Sequence, residues 1–374
     1  MTNVLSDNER LYRLRLIRSE NVGPVTFRRL LERFGNASAA LQALPELSRR
    51  GGQRRTITIC TAASARREMD ALATVGARLV ANGEPDYPPL LAHIEDAPPL
   101  LAMFGDPRVA AGDSVAIVGA RNASINGVRM AESLARDLGA AGVAVVSGLA
   151  RGIDAAAHRA ALATGTVAVV AGGIDVVYPP EHADLQRAIA ERGVVISEMP
   201  PGVQPQARHF PRRNRLISGM SRGVIVVEAA LRSGSLITAR QALEQGRDVF
   251  AVPGSPLDAR ARGPNDLIRQ GAVLTETVED VLGALCIAAP PVRGVTVNEP
   301  PPLAPAAGPE SISDTELDEA RRSIADALSP APAAVDEIIR RCRLSSFIVA
   351  TVLLEWELAG RLERQPGGRV ALIA

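Results

Sequence analysis

Lysine is absent from this chain: all 42 basic residues are arginine, set against 41 acidic ones for a net charge of +1. That excludes a lysine Schiff base and the lysine of a Walker phosphate loop. The consequence is physical whatever the cause: a phosphate here must be held by guanidinium groups or backbone donors. Cysteine is scarce too. Cys60, Cys286 and Cys342 lie far apart, without paired or metal-type spacing, which fits a reducing compartment. No run of about eighteen apolar residues occurs, and the opening MTNVLSDNER lacks the apolar core of a signal peptide, so a soluble cytoplasmic protein without membrane contact is expected. Disorder of the whole is excluded in turn, because 374 residues at 47% hydrophobic content suffice for two or three domains with a real core.

What the chain does have is a local concentration of one charge. Between Met199 and Val227 stand Arg208, Arg212, Arg213, Arg215 and Arg222, with one histidine and no acid. The centre reads RHFPRRNR, where Phe210 sits among the guanidinium groups. An aromatic face beside positive charge suits the flat base and charged phosphate of single-stranded nucleic acid.

The patterning divides the chain into four segments. Residues 1–85 carry helical apolar spacing in LYRLRLIRSENVGPVTFRRLLERFG, broken at Gly23-Pro24, which predicts a helical unit of helix-hairpin-helix or SAM-like type. It has one glycine where nucleic-acid-binding hairpins usually have two, so a scaffold role is favoured over DNA contact. In residues 86–288, short β-branched runs alternate with helical stretches: 115–119, 143–147, 167–171, 194–197, 224–228, 248–252 and 273–275. This predicts an α/β fold, an extended Rossmann-like and mostly parallel sheet with helices on both faces. Ser124 is the expected N-cap of a helix burying Val128, Ala131, Leu134, Ala135 and Leu138. Residues 289–312 form a linker with seven prolines between Pro290 and Pro309; at about 3 Å per residue it reaches roughly 60 Å, so the C-terminal segment is expected to move independently. That segment, residues 313–374, shows helical patterns at 314–328, 333–342 and 345–359, then a hairpin RLERQPGGRVALI turning at Gly367-Gly368, the pattern of a winged helix.

In a parallel α/β fold, ligands sit at the carboxyl ends of the strands. The first strand runs into GARNAS, placing Arg121 after Gly119-Ala120 where a dinucleotide fingerprint needs its second glycine, and the second ends in Ser147-Gly148 without the acid a ribose requires. NAD or FAD binding is therefore not expected. A guanidinium, a small hydroxyl and bare N–H groups make a phosphate pocket instead. In SGLARGIDAAAH, Arg151 lies between glycines and reads as a ligand contact, whereas Asp154 and His158 read as a cap and a packed imidazole. AGGIDVVYPPEH adds Gly172-Gly173, which permit close approach, and Tyr178, which either stacks on a base or forms a wall of the fold.

The ordered series GARNAS, SGLARGIDAAAH, AGGIDVVYPPEH, FPRRNRLISGMS and VVEAALRSGSLITARQALEQGRDVFAVPG resembles the DNA-processing protein A family, also called Smf, over about residues 86–288. The two ends match it in character. The resemblance implies single-stranded DNA binding by an extended Rossmann fold, a homodimer, and loading of RecA onto incoming strands in natural transformation. It further implies single-stranded-DNA-binding protein as another partner, no cofactor and no enzymatic turnover. By motif it implies that Gly119, Arg121, Ser147, Gly148, Arg151, Gly172 and Gly173 hold backbone phosphates while Phe210 stacks a base. Arg213, Asn214 and Arg215 complete the pocket, with Asn214 either ordering the loop or touching DNA. Many relatives carry a lysine just before the phenylalanine-proline pair; here Arg208 is the basic substitute. Dimerisation is implied near Asn265 to Leu274, where Leu267, Ile268 and Leu274 serve equally well as core positions.

Two alternatives stay open. A Rossmann-like nucleotide hydrolase of the lysine-decarboxylase-like phosphoribohydrolase type has similar phosphate loops, but it needs a carboxylate at the ribose, commonly from PGGxGTxxE. LRSGSLITARQALE lacks that glutamate at the loop, and the nearest acids, Glu228 and Glu198, read as braces. The terminal segments also fit a DNA-independent adaptor. In the winged helix, the recognition helix SSFIVATVLLEWELAG has no arginine and carries Glu355 and Glu357, which repel phosphate and favour a protein-facing or structural role. Trp356 is expected in the core. Arg340, Arg341, Arg343, Arg361, Arg364 and Arg369 leave weak duplex contact open.

Overall fold

The computed structural model describes residues 4–50, 57–287, 314–329, 332–358, 362–365 and 369–372. The proline-rich linker and the Gly367-Gly368 turn lie outside the described residues.

At the centre is a nine-stranded sheet: β1 Arg78–Ala81, β2 Leu100–Gly105, β3 Ser114–Val118, β4 Ala144–Ser147, β5 Thr166–Val169, β6 Val194–Ser197, β7 Gly223–Val226, β8 Asp248–Ala251 and β9 Val273–Leu274. Its spatial order is β1-β2-β6-β5-β4-β3-β7-β8-β9. Every pairing from β6 to β9 is parallel, and only β1 with β2 and β2 with β6 are antiparallel. The mostly parallel α/β sheet is as the β-branched runs predict. β1 and β2 carry no such signal: LLAMFG is rich in residues that favour helix, and pairing with β6 overrides that preference. β1 falls inside the stretch whose spacing reads as helical.

Helices cover both faces. On one lie α5 Ile125–Ala140, α6 Ile153–Ala161 and α11 Val278–Ala284, whose Leu134, Leu138, Ala157 and Val281 pack with Val115, Ile117 and Phe250. On the other, α8 His209–Met220 and α9 Gly234–Glu244 bury Leu216, Ile217, Ala239 and Ala242 against Ala116, Val118 and Val226. Ser124 caps α5 as expected, its hydroxyl accepting from the Gly127 N–H. The remaining sheet helices are α7 Ala183–Arg192 and α10 Arg262–Arg269.

Before the sheet come four helices, α1 Asp7–Ile17, α2 Pro24–Phe34, α3 Ala37–Arg50 and α4 Ala62–Thr74, with Gly23 at the N-cap of α2 and Pro24 in its first turn. After it come α12 Asp314–Ala327, α13 Val335–Cys342 and α14 Ser346–Leu358 with a three-stranded sheet of β10 Ala333–Ala334, β12 Arg369–Leu372 and β11 Leu362–Gln365. That is a winged helix, and Trp356 is in its core with Ile338, Val352 and Leu362.

His158 on α6 shows how the interior treats an ionisable group. Its Nδ1 lies 2.9 Å from Thr166 Oγ1, whose hydroxyl donates to Val145 O, so the ring must be the donor, and Nε2 has no partner among the described residues. Burial, reinforced by Arg213 and His182, holds its pKa down from 6.5 to about 3. The unfolded chain therefore takes up this proton at a higher pH than the folded one, and stability falls as pH drops through that window. We expect His158→Gln to lose less stability than the parent chain between about pH 7 and pH 4. Denaturant unfolding of both proteins across that range checks it; parallel curves contradict it.

Candidate nucleic-acid interface

The sheet order reverses beside β3: later strands run outward through β4, β5 and β6 on one side and β7, β8 and β9 on the other. Such a switch point leaves a crevice beyond the strand ends. A cavity of about 740 Å³ occupies it, lined by Gly119, Ala120, Arg121 and Asn122 after β3, by Phe210, Arg213 and Asn214 of α8, and by Arg232 to Ser235 after β7.

Phe210, half-buried, is the hub of this wall. The Arg121 guanidinium carbon is 5.3 Å from its ring centroid and that of Arg213 is 5.9 Å away. Tyr178 stands 5.8 Å off, tilted by 58°, and is 45% exposed. Tyr178 thus belongs to the rim and not to the core. Aromatic residues make up only 3% of the chain, so two of them meeting between guanidinium groups is a concentrated surface for a base and its phosphate. Arg121 is exposed, and among the described residues it makes no ion pair.

Arg213 is buried beneath Phe210. Its Nη1 donates to Val169 O at 3.2 Å, and burial lowers its pKa to about 10 despite the neighbouring Asp154. Asp154 in turn accepts from the N–H groups of Gly148 and Ala150; burial pushes its carboxyl up while Arg213 pulls it down. It ties down the turn after β4, in addition to standing in the first turn of α6. In that turn Leu149 is held at φ 55°, a conformation unfavourable for leucine and typical of overdetermined sites.

The glycines expected to admit a phosphate are used otherwise. A side chain on Gly148 would collide with the Arg213 guanidinium, one on Gly119 with Ile153, and ones on Gly172 and Gly173 with the 200–205 segment. Gly148 and Gly172 still line a smaller cavity of about 100 Å³ with Arg151, Tyr178 and Phe210. Ser147 is fully buried and donates to Ile117 O at 2.6 Å. It joins β4 to β3 and presents nothing to the cavity.

The arginine cluster divides in space. Arg215, two residues beyond Arg213 and so about 200° around the helix, points away and binds Glu198 at 2.7 Å and Asp96 O at 2.6 Å. Arg222 pairs with Asp113 and donates to Leu285 O. Arg212 and Arg208 are exposed, Arg208 as the N-cap of α8. Arg151 is exposed and paired with Glu181. Arg215 is therefore a brace and not a phosphate contact, and Asn214 orders the loop by donating to Gly234 O at 3.4 Å. Glu228 braces the turn after β3, accepting from the Ser124 N–H and hydroxyl. Of the positions near Asn265 to Leu274, Leu267 and Ile268 are half-buried, while Leu274 is 46% exposed on the outermost strand. The residues 232–238 that line the cavity were legible only as a serine-glycine turn before a helix.

The winged helix closes one side. Ala325 and Asp326 line the large cavity, Arg260 donates to Asp326 O and Leu328 O, Arg341 to Ala123 O, and Arg129 pairs with Glu337. On α14, Glu355 is taken by Arg321 at 2.9 Å; the side chains of Glu357, Arg361 and Arg364 lie outside the described residues. Among the described residues, none form a metal-binding cluster and no helix is long and apolar enough to cross a membrane.

Fold and cavity together define a Rossmann-like protein whose switch point carries arginine and an aromatic ring in place of a dinucleotide fingerprint. The sequence matches the family described as DNA recombination-mediator protein A over residues 78–286, the DprA-like N-terminal HHH domain over 7–71 and the DprA winged helix domain over 300–368, and the chain belongs to the DprA family. It is 41% identical to Protein Smf of Escherichia coli over 76% of this chain and 75% of that one. DNA processing protein A of Streptococcus pneumoniae superposes with a TM-score of 0.62 at 35% identity, covering 75% of this chain and 98% of that one. DNA processing protein A of Helicobacter pylori, whose structure concerns single-stranded DNA binding, superposes with a TM-score of 0.52 at 28% identity, covering 56% of this chain and 95% of that one.

Arg215 and Glu198, with side chains 8% and 10% exposed, form a buried pair, and removing Glu198 leaves the guanidinium only the more exposed carboxylate of Asp96, 3.2 Å away. Glu198→Ala should therefore destabilise the fold by about 3–5 kcal/mol, whereas Phe210→Ala, at a half-buried rim, should shift it far less. Urea midpoints for the two variants test the division of labour.

Proposed function

We propose that this chain binds single-stranded DNA without reading its sequence and delivers it to the recombinase RecA in transformation. It acts in the cytoplasm as a homodimer, with single-stranded-DNA-binding protein as a further partner, and as a binding protein, not an enzyme. The observation that carries this is the pair Arg121 and Arg213 set against the Phe210 ring at the sheet's switch point. Phosphate and stacking contacts hold a strand without a base code. The Helicobacter pylori relative supports the choice of ligand.

In this assignment Arg121 and Phe210 touch the strand, Arg213 supports the ring from beneath, and Arg151 and Arg208 extend the positive rim. Gly119, Gly148, Gly172 and Gly173 shape the turns; Ser147 and Arg215 brace them. The acids a nucleotide hydrolase would need are already engaged: Glu228 with Ser124, Glu198 with Arg215.

Anisotropy with labelled single- and double-stranded oligonucleotides tests the reading. About three cationic phosphate contacts give a salt slope near −2 for a single strand, and Phe210→Ala should weaken binding by about 1–3 kcal/mol. Arg121→Ala should weaken binding and flatten the slope by about 0.7. Equal affinity for duplex, or indifference to both substitutions, would sink the proposal.

A further inference from the structure

We propose that the docked winged helix is an autoinhibitory contact: the C-terminal end of α12 occupies Arg260 at the rim of the cavity as a phosphate would, and an incoming strand displaces it. This rests on single-stranded DNA being the ligand. Three anchors of the docked domain bracket the cavity. Arg341 donates to Ala123 O, one residue beyond Asn122 of the cavity wall, and Ile125, only 1% exposed, is packed in the winged-helix core. On the side formed after β8 stands Arg260, itself a lining residue, which donates from Nη1 to Asp326 O at 3.1 Å and from Nη2 to Leu328 O at 3.0 Å.

Those two carbonyls stand at the negative end of a helix. The last turn of α12 has no basic residue and carries Asp326, an acid where the helix dipole is least favourable to one. The Asp326 side chain is exposed, lines the cavity and makes no ion pair among the described residues. A local preference broken without a compensating contact points to a function. The other two acids of the lining are engaged, Asp154 with the N–H groups of Gly148 and Ala150 and Asp258 with Arg260. Asp326 is thus the free carboxylate among the described lining residues, facing a wall that holds Arg121, Arg213 and Arg232. Arg260 is where the two occupants compete. Asp258 holds its Nε, and the α12 carbonyls take the Nη1 and Nη2 fork that suits a phosphodiester. A hydrogen bond to an ionised oxygen is roughly twice as strong as one to a neutral carbonyl, so a phosphate displaces α12 from Arg260.

The test compares the full chain with Asp326→Asn and with the double variant Arg341→Ala/Glu337→Gln, which loosens the docked domain at positions outside the cavity lining. By anisotropy with a labelled oligothymidylate, Asp326→Asn should bind about threefold more tightly, an advantage that fades as salt screens the charge. The double variant should also bind more tightly. Asp326→Asn is nearly isosteric at an exposed position, so it keeps the test open if the double variant fails to melt cooperatively. A second readout follows the domain itself. Ile125→Cys puts a thiol in the junction, and its reaction with a maleimide, read on its own peptide by mass spectrometry, should be slow in the free chain and faster with the oligothymidylate bound. If the strand slows that reaction or leaves it unchanged, the winged helix is not displaced and the proposal is overturned. Equal or weaker binding by both Asp326→Asn and the double variant overturns it as well, since the docked domain then assists the strand or ignores it. If the parent chain binds no oligonucleotide, the reading as a DNA-binding protein has itself failed.

Discussion

A guanidinium buried at the end of a β-strand is the constraint around which the cavity is arranged. Arg213 has lost most of its water, so its charge must be met from within: Val169 O accepts from it, Asp154 faces it and Phe210 covers it, while its Nε has no partner among the described residues. Each of these has a further requirement. Gly148 must lack a side chain because the guanidinium fills that space, and Asp154 must reach the N–H groups of Gly148 and Ala150. That sets where α6 begins, and Ile153 at its start fills the hollow of Gly119. The turn that carries Arg121 toward Phe210 is thereby held from below. One buried charge organises both strand ends.

Charge in sequence and charge in space part company here. The stretch from Met199 to Val227 has no acid of its own, but Glu198 stands directly before it, and Asp96, Asp113 and Asp154 reach it from other parts of the fold. Helical geometry does the sorting: Arg213 and Arg215 emerge on opposing sides of α8, one beneath the aromatic ring and one into an ion pair. An arginine-rich helix therefore supplies a ligand wall and a structural brace from adjacent positions.

The parallel strands were legible because fully buried strands need continuous apolar, β-branched runs, and those stand out between helical patterns in 115–119 or 224–228. The antiparallel edge was not, since LLAMFG becomes a strand only through its pairing with β6. The cavity was half legible. Arg121, Phe210 and Arg213 announce themselves by chemistry, whereas Ser233, Gly234 and Thr238 are small residues whose place in the cavity wall only the fold reveals. The glycine-rich turns depend on the fold in the same way: the space left by the missing side chains of Gly148, Gly172 and Gly173 is taken by Arg213 and the 200–205 segment, while Gly148 and Gly172 still line the smaller cavity.

The winged helix completes the cavity through contacts of a particular kind. Arg260 and Arg341 donate to backbone carbonyls and Arg129 pairs with Glu337, while Ile125, at the start of α5, is the Rossmann-like residue that enters the winged-helix core. A junction built mostly from guanidinium bonds to polar atoms competes poorly with water and salt compared with an apolar one. It also lies at the N-terminus of α5, whose cap is already bound to Glu228 through Ser124. The anion-attracting end of α5 is thus spent on the fold.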